Sequence, residues 1–143
     1  MEVLGEFRTR QRLVLAASAR EAETLELATL LRATWGRLTA PESEPFLRLV
    51  FELVGIGVRR PERVKGFLEG VVEDWTESVQ LLLEREGLTP DDARPLATLV
   101  YASFRGLLLD LLTTGEQERV EAAVMELAEL VEGRLAAARW VGG

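Results

Sequence analysis

Leu96-Ala-Thr-Leu-Val-Tyr-Ala-Ser-Phe-Arg-Gly-Leu-Leu-Leu-Asp-Leu-Leu-Thr-Thr-Gly115 decides the fold class. Read at roughly 100° per residue, Asp91, Arg94, Thr98 and Arg105 fall on one side of a helix. The same side continues as Leu109 and Leu112. An ordinary surface helix keeps a polar face along its whole length. The second half of this one is therefore expected to be buried all round. A single domain has little use for such a segment, so a second chain is expected to cover it.

The bulk composition narrows the field. At 143 residues the chain is expected to be one domain. That length buries roughly two-thirds of the unfolded surface, so neither disulfides nor a metal is needed for folding. The absence of Cys leaves the redox compartment unread. The absence of His removes the usual general base and the commonest transition-metal ligand. The net charge of −7, from 24 acidic and 17 basic residues, argues against a direct grip on a phosphate backbone. No run reaches the ~18 consecutive apolar residues of a membrane span. The first residues, MEVLGEFRTRQR, lack the order of a signal peptide. A soluble cytoplasmic protein without a membrane partner is the expectation.

Helical periodicity runs through the chain, with no strand-like alternation. A first helix over about Glu2–Ala19 carries Leu4, Phe7, Gln11, Val14 and Ser18 on one side. It starts without an N-cap; a preceding segment or plain solvation would satisfy its first N–H groups. A second helix over about Thr24–Leu38 has the seam Leu27, Leu31, Trp35, Leu38. A third, about Ser43–Arg60, is polar only along Arg48, Glu52, Gly55 and Arg59, so it is expected inside the fold. Its Gly55 and Gly57 predict a close packing partner or a bend. A fourth, about Glu62–Glu86, sets Val64, Leu68, Val71, Trp75, Val79 and Leu82 inward and stops at Gly87. The fifth opens on Thr89-Pro-Asp-Asp92: an N-cap, a proline at the first position and two acids in the first turn. It ends at Gly115. The sixth, about Glu116–Ala138, has the seam Val120, Val124, Leu127, Val131 and Leu135, and Trp140–Gly143 is expected as a tail.

No catalytic constellation is found, and the chain is not expected to be an enzyme or to hold a cofactor. Ser-His-Asp and Cys-His arrangements are impossible without His and Cys. Glu69 and Glu73 lie one turn apart, but their line continues through Glu77 and Gln80 as a solvated face. The chemistry left is aromatic: Trp35, Phe51, Phe67, Trp75, Tyr101 and Phe104, with Phe46, spread over four helices. A packed core accounts for them. So does a cavity lined by aromatics with few polar groups, where Trp75 and Tyr101 could orient a ligand. Arg105 shares a side with Thr98 and Arg94 and is expected to reach outward, with a ligand-anchor role as the second reading. Asp110 shares a side with Leu99, Ser103 and Gly106, so a bond to a partner helix or a backbone N–H is expected, with a ligand role as the second reading.

The run Arg105-Gly-Leu-Leu-Leu-Asp-Leu-Leu-Thr-Thr-Gly115, followed by Glu-x-x-Arg-Val-x-x-Ala123, resembles the end of the ligand-binding domain of TetR-family transcriptional regulators. Trp35-Gly-Arg-Leu38, Phe51-Glu52, Arg60-Pro61, Phe67-Leu68, Trp75 and Gly87-Leu-Thr-Pro-Asp91 fit the same order, so the resemblance covers almost the whole chain. It implies a six-helix antiparallel bundle forming one domain: residues 1–19 as a connecting helix, 20–88 as sensor core, 89–139 as dimerisation helices and 140–143 as tail. It implies a homodimer through the last two helices, with Ser103, Gly106, Leu107, Leu111, Val120, Val124, Leu127, Val131 and Leu135 at the contact. It implies a pocket for a small apolar or aromatic effector among the second to fifth helices. Family members begin with a helix-turn-helix unit, and nothing here matches one. The chain would then be part of a longer regulator, a product begun at an internal start, or a stand-alone sensor, with DNA contact made only through that missing unit. The competing readings are a stand-alone helical dimer or protein-interaction module, and a small all-helical enzyme.

Overall fold

The clearest boundary in the sequence opens a helix as expected. Thr89 Oγ1 accepts from the Asp92 N–H at 3.2 Å, and Pro90 takes the first helical position. The computed structural model describes the backbone of residues 2–21 and 26–142 and the side chains of residues 5–17, 20 and 26–140. Within them the protein is all-helical: α1 (Glu2–Glu21), α2 (Leu27–Leu38), α3 (Glu44–Arg59), α4 (Lys65–Arg85), α5 (Pro90–Thr114) and α6 (Gln117–Gly142). Short 3₁₀ turns at Pro41–Ser43 and Pro61–Arg63 precede α3 and α4. The expected start of α2 at Thr24, and the side chains of Leu4 and Ser18, lie outside the described residues.

Helix ends follow local chemistry. Gly87 adopts φ 112°, which lets the Leu88 N–H reach back to Leu83 O at 3.1 Å and closes α4 with a Schellman turn. Leu88 and Leu83 are both buried, so the apolar contact that accompanies such turns is present. The expected tail after Ala138 is instead helix: α6 continues through Trp140 to Gly142. The Ala136-Ala-Ala-Arg139 run favours helix and no breaker intervenes. Arg139 also bonds Glu86 at 2.7 Å, fixing this turn against the end of α4.

Helix pairs are not all antiparallel, contrary to expectation. α4 and α5 are, as are α5 and α6, where Asp92 meets Arg134 and Asp110 meets Arg119. Short loops force that sense on consecutive helices. α1 and α4 are not consecutive, and they run the same way: Phe7 meets Phe67 and Gln11 meets Val71. Arg8 bonds Asp74 at 2.7 Å along the same contact.

Packing is lopsided. A solid core joins α2, α5, α6 and the end of α4 through Leu30, Leu83, Ala97, Val100, Val124 and Leu135. Trp35 packs edge-on against Phe104 there, 5.6 Å between ring centres. The α6 seam Val120, Val124, Leu127, Val131 and Leu135, expected at the subunit contact, is buried in this chain's own core. It faces α2 and α5, so it is not available to a second chain. α3, expected inside, has no buried residue, and Val58 is 80% exposed. Leu47 and Phe51 reach the edge of the core, while Ile56 and Val58 stay exposed. Gly57 does meet the expected close neighbour: a Cβ there would lie 2.6 Å from Leu68 Cδ1, whereas Gly55 faces nothing near.

α5 has the length and apolar composition to cross a membrane, yet it packs here with Ala93, Ala97, Val100, Phe104 and Leu108 in the core. Its second half is not covered all round by this chain. From Thr98 to Leu109 the exposed positions are Thr98, Leu99, Ala102, Gly106 and Leu109, none of them charged. Ser103, Leu107 and Leu111 are half-buried beside them. Asp110 finds its partner on the next helix: Arg119 bonds both carboxylate oxygens, at 2.6 and 3.0 Å. Arg119 also bonds Glu116 at 2.8 Å.

Candidate ligand cavity

On the loosely packed side lies a cavity of about 260 Å³, walled by α1 to α5 and by no residue of α6. Its position follows from the packing. α3 is carried past α4 by the two proline-led turns and leaves a gap instead of filling it. α1 crosses the gap and is held by Arg8–Asp74, by Gln11 Nε2 donating to Val71 O at 3.1 Å, and by Arg10 Nη2 donating to Glu42 O at 3.1 Å. The 260 Å³ lies just below the ~300–1,000 Å³ usual for small-molecule pockets.

Four of the six aromatic candidates line it: Phe51, Trp75, Tyr101 and Phe104. The other two do not. Trp35 stands behind Phe104, in the core. Phe67 is engaged edge-on by Phe7, ring centres 5.7 Å apart, in the α1–α4 contact. Trp75 and Tyr101 stack across α4 and α5, with centroids 6.4 Å apart and planes 30° from parallel. Both polar tips therefore belong to one aromatic wall.

The polar lining was largely hidden in the sequence. Arg105, expected to point outward, lines the cavity, and its guanidinium sits 5.1 Å from the centre of the Tyr101 ring. The available signal was the i,i+4 spacing of Tyr101 and Arg105, which puts them on one helix face. Arg10 lines it from α1, over the Phe46 ring at 4.3 Å, and Arg85 lines it from the end of α4. Gln11 is 5% exposed, and its Oε1 is a buried acceptor with no donor. Burial pushes the Tyr101 hydroxyl above its ordinary pKa, and the Arg105 charge opposes that shift.

This wall can bind and orient an apolar body. Its polar tips are hydroxyls, one amide, the Trp75 indole N–H and guanidinium groups, none of which forms an acid–base pair. Among the described residues no three carboxylates converge as a metal site.

These features define a class: an all-helical bundle enclosing a largely apolar cavity, with a solid core on one side and an uncharged helical stripe exposed on α5. Comparison with protein-family models, with curated proteins and with solved structures finds no match to this chain.

Proposed function

We propose that this chain is the ligand-sensing and homodimerising domain of a TetR-like transcriptional repressor, taking a small effector with an apolar or aromatic body. The observation that carries the reading is the apolar cavity walled by five helices. The order of the sequence motifs that resemble the family supports it. So does the uncharged stripe Leu99, Ala102, Gly106 and Leu109, which a second copy would cover. Leu130 of α6 adds to that surface, being on the side of α6 that carries Arg119 and Arg134 towards α5.

In this reading one ligand touches both moving parts. Phe7 and Gln11 connect it to α1, and Tyr101 and Phe104 connect it to α5. A ligand that prefers one placement of α1 shifts the population towards it, by no more than its difference in affinity for the two. DNA contact would belong to a helix-turn-helix unit that these residues do not contain.

The test is thermal unfolding with decanol, a neutral apolar probe. At 100 times its Kd a ligand stabilises by about 2.7 kcal/mol, a rise in Tm of roughly 5–10 °C for a domain of this size. Val79→Trp, which fills the cavity from α4, is expected to remove the response. No shift with decanol, or an undiminished shift in Val79→Trp, would defeat the reading.

A further inference from the structure

The cavity wall has a charge bias that the chain as a whole does not. The sequence carries 24 acidic and 17 basic residues, yet among the described residues the cavity lining holds three arginines and no aspartate or glutamate. Elsewhere seven cations are neutralised, and Arg32, Arg59, Arg60, Arg63 and Arg94, which form no ion pair among the described residues, are exposed to solvent. Arg8, Arg12, Arg48, Lys65, Arg119, Arg134 and Arg139 each form an ion pair. Arg10, Arg85 and Arg105 form none among the described residues; Arg85 is exposed, whereas Arg10 and Arg105 are half-buried. Arg10 instead spends one amino group on Glu42 O and Ser43 Oγ, at 3.1 and 3.2 Å. Arg105 is half-buried, and the face of Tyr101 is what it rests on.

A guanidinium drawn into apolar surroundings loses hydration, and a neutral aromatic face returns only part of it. An anion returns the rest, through a forked pair of hydrogen bonds that the rigid guanidinium is built to make. Carboxylates in the wall would oppose such a ligand, and among the described residues there are none. Gln11 Oε1 is an acceptor and works the other way, but a neutral amide dipole weighs less than three formal charges. Against the ~150 Å³ apolar cavity that holds benzene, 260 Å³ has room for roughly ten non-hydrogen atoms.

We propose that the effector is an organic anion, an apolar body of about ten heavy atoms ending in a carboxylate, which Arg105 anchors beside Tyr101. This rests on the cavity being a ligand site, and it adds the charge of the ligand and the residue that selects it. Arg10 and Arg85 contribute to the positive potential at the wall without holding the head group.

The test is calorimetric titration of the 143-residue chain with decanoate, decanol and decylammonium at neutral pH. Decanoate is expected to bind about tenfold or more tighter than decanol, with decylammonium weakest, as one charge-assisted pair implies. Arg105→Gln is expected to bring decanoate to the decanol level and leave decanol unchanged. Decanol binding as tightly as decanoate, or decylammonium binding best, overturns the inference and leaves the cavity reading standing. Binding of none of the three overturns both. Decanoate preference that survives in a folded Arg105→Gln removes Arg105 as the anchor. Should that variant fail to fold, the ranking of the three probes on the unaltered chain decides.

Discussion

Leu109→Glu and Leu127→Glu place the same charge on opposite sides of the α5–α6 pair, and the structure predicts opposite outcomes. Leu127 is 8% exposed and belongs to the core that α6 shares with α2 and α5. Removing a buried leucine costs about 2–5 kcal/mol. The carboxyl group left in its place has no partner, which adds several kcal/mol more. The sum reaches the ~5–15 kcal/mol that holds a typical domain together, so Leu127→Glu is expected to unfold the chain. Leu109 is 45% exposed. About half of the ~2 kcal/mol available from burying a leucine is realised there, so the fold loses roughly 1 kcal/mol. In the proposed dimer the same substitution removes about 1 kcal/mol of burial from each subunit and brings two carboxylates together. A total near 3 kcal/mol weakens the dimer about a hundredfold. Sedimentation equilibrium with circular dichroism reads both effects. Wild type is expected as a dimer, Leu109→Glu as a folded monomer, and Leu127→Glu as unfolded or aggregated. A wild-type monomer at micromolar concentration, or a dimer undisturbed by Leu109→Glu, refutes the proposed contact. A folded monomer of Leu127→Glu refutes the placement of the α6 seam.

The lopsided packing predicts unequal costs for truncation. Leu83→Ala removes a side chain with 0% exposure and is expected to cost about 3–5 kcal/mol, near 10 °C in Tm. Val50→Ala only widens the cavity from the half-buried α3 and is expected to cost under about 1 kcal/mol in the same denaturation assay; equal costs would mean the gap is filled. The chain has one tyrosine, so absorbance at alkaline pH follows Tyr101 alone. Burial raises its pKa above 10.0, so the stability tied to its protonated form is complete below that value and declines as pH rises through the raised one. Arg105→Gln is expected to move the midpoint higher still, because it removes the charge that opposes burial; a midpoint at or below 10.0 in the folded chain contradicts this. Asp110 behaves oppositely. The hydrogen bond from Arg119 holds its carboxyl below the ordinary 3.8, so the contribution is present above that value and is lost as pH falls through the lowered one. Stability curves of wild type and Asp110→Asn are expected to differ at neutral pH and to merge at the acid end; curves that stay parallel would argue against it.

What was legible in the sequence was local. Thr89-Pro-Asp-Asp92 and Gly87 end and begin helices through bonds within a few residues, so residue type decides them. The inner seam of α4 is only partly a matter of period: Val71 is buried on it, Leu68 is half-buried, Trp75, Val79 and Leu82 are half-buried because they border the cavity, and the fully buried Leu83 lies off it. Four aromatic cavity residues could be chosen because large rings on inward seams come close wherever helices meet. Trp35 sits on an equally good seam and Phe67 beside one, yet each is claimed by a neighbouring ring, Phe104 and Phe7. Nothing in their own helices distinguishes them from Phe51 or Trp75.

Periodicity names the apolar side of a helix relative to its own axis and says nothing of what lies opposite. That is why the sequence by itself determined six helices, most of their ends and their apolar sides. Only the tertiary structure decided what covers those sides. It turned the α6 seam onto α2 and α5 and left the Leu99–Leu109 stripe exposed in its place. It set α1 parallel to α4, because helices not joined by short loops are positioned by long-range packing alone, and it placed α3 beside a gap. It brought Arg119 to Asp110 across a turn, and it drew Arg105 inward onto Tyr101, half-buried in a largely apolar wall and without an ion pair among the described residues.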